Sequence, residues 1–374
     1  MNLFLFAKQF VDMLYPYRGL DYIMVFIALY MIGYQIVLAR TDVVRNSTLQ
    51  DYIFVLIAMI LSGHFILTRN GFHPYVKVLS AILIYFLGRI CYERVLECNR
   101  ALVSASYLII YINFFYRLWK LGAGLLRVHD AGGDLYYYDA DMAFAVILST
   151  AFIAFLGKTT IYKLVTLLFI SPCMVIFSEA GIQTILLFGI YGIILIYLVE
   201  RLFRKRKIGS MLLSCLVVVV LLGIIFVHFP VFGVIQQEWI ARLFTNSFIE
   251  GKNMFRLYQS WNAALQQWWN SGWFYRLLGC GVNRGIESIY IKTLYSTGII
   301  GFVLSIYCVF NSVKQIKYVG ERRMLYLMVA CFVLFLGSGV MNNSLESTQM
   351  SWFPFLYMGV VASIAQEEKK GTSI

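Results

Sequence analysis

The sequence predicts an all-α fold, a polytopic integral membrane helix bundle of about eleven or twelve spans that carries one long external loop. Three observations predict it. Of 374 residues, 60% are hydrophobic and only 13% charged, and the mean hydropathy is +0.75, whereas a soluble domain is near a quarter charged. Apolar stretches long enough to cross about 30 Å of hydrocarbon recur down the whole chain. The segments between them are short, except for 230–287.

The candidate spans fall near 22–39, 52–68, 76–92, 101–118, 142–157, 160–177, 181–200, 209–229, 288–311, 324–340 and 351–365. Ahead of them, 1–16 contains Lys8, Asp12 and Pro16, which suit an interfacial or re-entrant helix better than a twelfth crossing. The start MNLFLFAKQF has no basic n-region and no small-residue cleavage site, unlike a cleavable signal peptide. No internal repeat and no low-complexity segment divides the chain, so 1–374 reads as a single membrane domain.

The net charge of +12 does not point to nucleic acid, because Lys and Arg are scattered among apolar spans and not gathered in a basic domain. In a membrane protein such an excess sets orientation. The segment 201–207 carries five basic residues and 312–323 carries four. Placing both in the cytoplasm puts the C-terminus inside and the loop 230–287 outside. The N-terminus is then outside with eleven spans and inside with twelve. Seven Cys show no paired or metal-ligand spacing and read as small core residues. No cofactor and no metal site is predicted.

The long loop is where function is expected, since long ordered loops tend to be functional. Met254, Leu257, Trp261, Leu265 and Trp268 recur at three- and four-residue steps, which predicts an amphipathic helix with Asn253 as its cap and Asn270-Ser271-Gly272 as its end. Trp261, Trp268, Trp269 and Trp273 suit the headgroup level, either as plain anchors or as sugar- and lipid-contacting rings. Arg242, Lys252, Arg256, Arg276 and Arg284 concentrate cations on a face that topology normally keeps poor in them. The guanidinium fork fits phosphate in a bidentate way, so the partner is an anionic headgroup or a lipid-linked diphosphate. Gly279, Gly281 and Gly285 permit tight turns. Glu287 is expected in the first turn of the following span, either as a capping carboxylate or as a general base. Gly298 and Gly301 suit close helix packing.

A second external loop, 120–141, holds Asp130, Asp134, Asp139 and Asp141 around Gly132-Gly133 and Tyr136-Tyr137-Tyr138. Solvated acids are the plain reading, and Tyr137 is a candidate sugar contact. Arg89 and Glu93 lie four apart near the cytoplasmic end of the third span and read as a local ion pair or a snorkelling Arg.

These elements resemble the O-antigen polymerase and ligase superfamily of bacterial envelopes. The likeness is carried by Arg256 ahead of Trp261-Asn262-Ala263-Ala264, by Gly279-Cys280-Gly281, by Glu287-Ser288-Ile289-Tyr290 and by Gly298-Ile299-Ile300-Gly301. The ligase branch carries a His near the end of the long loop. Here His occurs only at 64, 73, 129 and 228, outside that loop, which favours polymerase. The Ser-Arg pair that the family often has before the seventh span is replaced by Ser178-Glu179.

The resemblance implies a GT-C-like glycosyltransferase of the bacterial inner membrane, multi-pass, with its active site facing the periplasm and a role in lipopolysaccharide or other surface polysaccharide synthesis. Undecaprenyl-diphosphate-linked oligosaccharides would be both donor and acceptor, and a chain-length regulator protein is an expected partner. In that frame Glu287 is the base, and Arg256, Arg284, Arg276 and Arg242 hold the diphosphate. Lys252, Tyr290 and the loop tryptophans contact sugar or lipid. The other readings are an O-antigen ligase, another membrane glycosyltransferase using lipid-linked sugars, and a glycolipid flippase or transporter. The last should place ionisable groups near mid-membrane and use broken helices.

Overall fold

The computed structural model describes residues 1–13, 18–38, 47–68, 72–122, 134–172, 181–202, 252–282, 286, 288–339 and 348–371. Among them every regular element is a helix and no strand occurs. In chain order these are α1 (Asn2–Met13), α2 (Arg18–Leu38), α3 (Leu49–Thr68), α4 (Phe72–Ile90), α5 (Tyr92–Glu97), α6 (Asn99–Gly122), α7 (Asp134–Leu156) and α8 (Ile161–Val165), which runs on as a π-helical turn over Thr166–Ile170. Then follow α9 (Gly181–Leu202), α10 (Lys252–Asn270), α11 (Trp273–Leu278), α12 (Ile289–Gln315), α13 (Arg322–Ser338) and α14 (Thr348–Gly371).

Helix is the element that satisfies its own backbone without water, which is why so apolar a chain adopts it in every regular element among the described residues. Local polar residues mark where helices begin. Asp51 Oδ2 accepts from the Thr48 N–H (2.6 Å) and the Thr48 hydroxyl (2.8 Å) at the start of α3, a reciprocal cap. Thr160 Oγ1 accepts from the Lys163 N–H at 3.2 Å at the start of α8.

The spine of the bundle is the crossing of α4 and α14. A Cβ at Gly88 would overlap the Leu356 carbonyl, and one at Gly359 would overlap that of Tyr85. Small residues at such a crossing let two backbones approach, and that contact substitutes for the hydrophobic drive that lipid does not supply. Aromatic rings fill the space beside it. Phe54 lies 4.4 Å from Tyr85 and 5.7 Å from Phe355, and Phe335 meets Phe355 edge-on at 5.7 Å. Each such pair is worth about 0.5–1.5 kcal/mol beyond area burial.

Polar contacts gather at the two ends of this spine. At one end Arg89 pairs with Asp51 at 3.4 Å and donates to Ser363 and Gln366, Gln50 donates to Ser312 at 2.9 Å, and Glu200 pairs with Arg322 and accepts from Tyr326. At the other end Lys77 pairs with Asp21 at 3.7 Å, Thr348 donates to Asp21 at 3.2 Å, and the Ile289 N–H donates to Gly339 at 2.8 Å. Thus α3 and α12 run from opposite ends, whereas α4 and α14 start at the same end and run parallel.

Among the described residues three helical segments are long and apolar enough to cross a membrane: Gly19–Val37, Leu49–Leu67 and Ile289–Tyr318. Their outward faces carry large apolar side chains, including Phe26, Tyr30, Ile66, Leu67 and Phe310, a surface suited to lipid. The apolar stretches Phe144–Leu156, Ile161–Ile170 and Leu186–Glu200 are shorter, and the stretch expected at 209–229 lies outside the described residues.

Three expectations are refined. The segment 120–141 is not all loop, because α7 already begins at Asp134 and α6 reaches Gly122. The N-terminal helix packs one face into the bundle, which fits the re-entrant alternative better than the interfacial one: Phe4, Leu5, Lys8 and Gln9 are buried, Gln9 accepts from Ser106 at 3.1 Å, and the Lys8 ammonium sits 4.5 Å over the Trp352 ring. Its 12 residues reach about 18 Å, short of a full crossing. Finally, Gly298 admits a neighbouring helix, as expected, with the backbone of Leu277 in α11 against it, whereas Gly301 meets only Thr297 of its own helix. Gly298 breaks α12, with φ 66° and ψ −170°.

Candidate functional site

The described part of the long loop forms two helices and a turn, assembled at the Asp21–Lys77 end of the bundle. α10 begins at Lys252, one residue before the expected cap Asn253, and stops at Asn270 as its sequence predicts. The stop is local. The Ser271 hydroxyl donates to the Trp268 carbonyl at 2.6 Å, and Gly272 then turns the chain into α11. Arg276 closes the corner: its Nε donates to the Ser271 carbonyl at 3.1 Å, and its guanidinium lies 5.1 Å over the Trp269 ring.

The four tryptophans separate by environment. Trp268 is 8% exposed and packs with Ala264, Ile286 and Tyr295, which seats α10 on α12. Trp269 and Trp273 are 62% and 72% exposed, and Trp261 is half-buried. A cavity of about 290 Å³ beside Trp268 and Trp269 is lined also by Leu265, Gln266 and Asn270. A ring flanked by carboxamides and a stacked guanidinium offers both an apolar face and hydrogen bonds.

α11 ends at Gly279, whose φ of 96° belongs to the left-handed region that side chains avoid. The turn that follows is held from three elements. His64 Nε2 on α3 donates to the Leu278 carbonyl at 2.9 Å, which requires the proton on that nitrogen. The Cys280 N–H donates to the Tyr295 carbonyl at 2.7 Å, and the Val282 N–H donates to the Tyr75 hydroxyl at 3.0 Å. Tyr295 can accept because the break at Gly298 frees the last carbonyls of the first half of α12 from helical pairing. Burial pushes the Cys280 thiol up, against a smaller lowering from the Ser271 hydroxyl.

Beyond the turn, Ile286 is buried against α10, and Ser288 and Ile289 bond to the Gly339 carbonyl at 3.4 and 2.8 Å. α12 begins at Ile289 with Ser288 at its cap position. Tyr290 donates its hydroxyl to the Leu336 carbonyl at 2.8 Å, joining α12 to α13. Lys292, one turn into α12, is 1% exposed and lies inside the bundle.

Of the residues singled out in the sequence, Arg276, Trp261, Trp268, Trp269, Trp273 and Tyr290 are thus gathered around α10–α12. Lys252 and Arg256 lie in the first five residues of α10, and Tyr137 lies in α7. Arg242, Arg284 and Glu287 lie outside the described residues.

Sequence reasoning missed His64, Tyr75, Asp21, Lys77 and the interior position of Lys8. The available signal was a polar residue inside an apolar span, which by itself marks a functional or paired group. Spacing along the chain gave no hint that His64 and Tyr75 meet a turn more than two hundred residues away.

No protein-family model matches the chain, and no curated protein matches it.

Proposed function

We propose that the chain is a polytopic membrane glycosyltransferase that joins lipid-linked oligosaccharide repeat units, of the O-antigen polymerase type, with about eleven crossings and its C-terminus in the cytoplasm. One observation carries this reading. The helix α10, which bears Lys252, Arg256 and three of the four loop tryptophans, and the turn at Gly279 are built onto the bundle at the end opposite Arg89, Arg322 and the basic segment 312–323. The positive-inside rule makes the latter end cytoplasmic, so the loop faces the other compartment.

In the proposed reaction, the growing glycan is held through its anomeric carbon to undecaprenyl diphosphate. A sugar hydroxyl of the incoming lipid-linked unit attacks that carbon, the carbon–oxygen bond to the diphosphate breaks, and undecaprenyl diphosphate leaves with the bonding electron pair. Glu287 takes the hydroxyl proton. Arg256 and Arg284, with Arg242, balance the charge of the leaving group, and Arg276 supports the corner that carries Trp269.

The test is deletion of the gene followed by gel analysis of surface glycan. Loss of the ladder with one repeat unit retained on the lipid core supports a polymerase. The substitutions Glu287→Gln and Arg256→Ala at normal protein levels then test the site, and long chains in both sink the assignment.

A second reading, a glycolipid flippase or transporter, gains from the break in α12 and from the buried Lys8 and Asp21–Lys77 pair, features that transporters use at their binding sites. Loss of every attached repeat unit on deletion favours it, or a ligase, over the polymerase.

A further inference from the structure

We infer that His64 and Tyr75, on α3 and α4, are positioning residues of the glycosyl-transfer site, an inference that rests on the function proposed above. Both sit in apolar helices, and both are almost wholly buried. A helix facing lipid and its neighbours gains nothing from an imidazole or a phenol at such positions unless the polar atom is used. Each is used on the same short turn. His64 donates to the Leu278 carbonyl at 2.9 Å, and Tyr75 accepts from the Val282 N–H at 3.0 Å. Between them the Cys280 N–H is bonded to Tyr295 at 2.7 Å. Alternate residues of one turn are therefore tied to three different helices.

The fit around these bonds is close. A Cβ on Gly281 would come 2.6 Å from the Tyr75 hydroxyl and 3.5 Å from the His64 Cβ. The Tyr75 ring is in turn set by Phe65, 5.2 Å away at 56°, and Phe65 is the chain neighbour of His64. One rigid patch of α3 and α4 thus carries both pins. The turn leads directly to Ile286 and Ser288, whose own contacts hold the start of α12. The pins set where the loop enters the membrane domain. A shift of about 1 Å at a reacting group costs on the order of 100-fold in rate, so their loss reads as lost turnover without lost fold.

The experiment compares His64→Ala, His64→Gln and Tyr75→Phe in cells lacking the native gene, at matched protein levels, in a background where Cys280 is the sole cysteine. Two quantities are read: the initial rate of ladder formation in membranes holding the lipid-linked repeat unit, and the rate of Cys280 alkylation by a maleimide. The expected result is a rate on the order of 10- to 100-fold lower in His64→Ala, together with faster alkylation. His64→Gln, whose amide still donates, restores both toward the native values. Tyr75→Phe keeps the ring and loses the acceptor, and falls between. If His64→Ala does not accumulate, Tyr75→Phe carries the test by the same two readouts. Unchanged rate and unchanged alkylation in the accumulating variants, while Glu287→Gln abolishes the ladder, overturns the positioning role and leaves the proposed function standing. A normal ladder in Glu287→Gln and Arg256→Ala removes the function instead, and alkylation still reports whether the pins hold the turn.

Discussion

Gly279 and Gly298 lie side by side across the junction of α11 and α12, each against backbone that leaves no room for a side chain. A Cβ on Gly298 would lie 2.6 Å from the Gly279 nitrogen, and one on Gly279 would lie 2.5 Å from the Thr297 nitrogen. The turn after α11 is therefore seated in the break of α12. A break in so apolar a helix needs its freed backbone groups covered by protein, and here the turn is the cover.

Alanine at either glycine should unseat this joint. The left-handed conformation alone costs about 1–2 kcal/mol for a residue with a Cβ, and overlap with backbone adds to it. Gly279→Ala and Gly298→Ala are expected to lower the thermal stability of the purified protein and shorten the glycan ladder. Gly192→Ala, which meets open space on α9, should do neither. Equal behaviour of the three would contradict the seating.

The Asp21–Lys77 pair predicts non-additive mutants. Removing one partner of a buried pair leaves an uncompensated charge and costs about 3–5 kcal/mol, whereas replacing both by apolar groups is often near neutral. Lys77→Met and Asp21→Leu should each lower the melting temperature in detergent, and the double variant should recover most of the loss. Additive losses would mean that the two are not coupled.

The two neighbouring tryptophans should part company. Trp268→Ala empties a packed site and is expected to cost about 3–5 kcal/mol. Trp269→Ala removes an exposed ring and should leave melting nearly unchanged while reducing ladder synthesis, if the proposed contact with glycan or lipid is made by that ring. A Trp269→Ala variant with native synthesis would exclude that ring from substrate contact.

Cys280 provides a reactivity test with a defined sign. Its thiol titrates above the ordinary value because it is partly buried, and only the thiolate reacts. At neutral pH a membrane-impermeant maleimide added from the non-cytoplasmic side should label it more slowly than an ordinary exposed cysteine. The rate should keep rising with pH, about tenfold per unit, beyond the point where a normal thiol levels off. Labelling only from the cytoplasmic side would reverse the proposed topology.

How much of the site was legible beforehand differs residue by residue. The end of α10 at Asn270 follows from Asn270-Ser271-Gly272, because capping is chemistry between neighbours. The burial of Trp268 beside the exposure of Trp269 also follows from helical periodicity once the helix exists. The role of Gly298 followed only in part. A G-x-x-G pattern signals the close approach that Leu277 of α11 makes at Gly298, but not that the same glycine breaks α12. His64 was counted against a loop-based histidine because it lies far away in sequence, yet the fold brings it to the loop's last turn.

Composition and periodicity alone determine that this chain is helical and lipid-compatible, and they mark an aromatic, arginine-bearing helix at 252–270 as its exceptional segment. Those properties are local, set by hydration cost and by the 3.6-residue repeat. Only the tertiary structure decided that α12 is broken, that the loop's glycine turn fills the break, and that His64 and Tyr75 reach it. Such matters depend on which surfaces meet when helices far apart in the chain pack, and free backbone groups can be paired only by whatever that packing brings near.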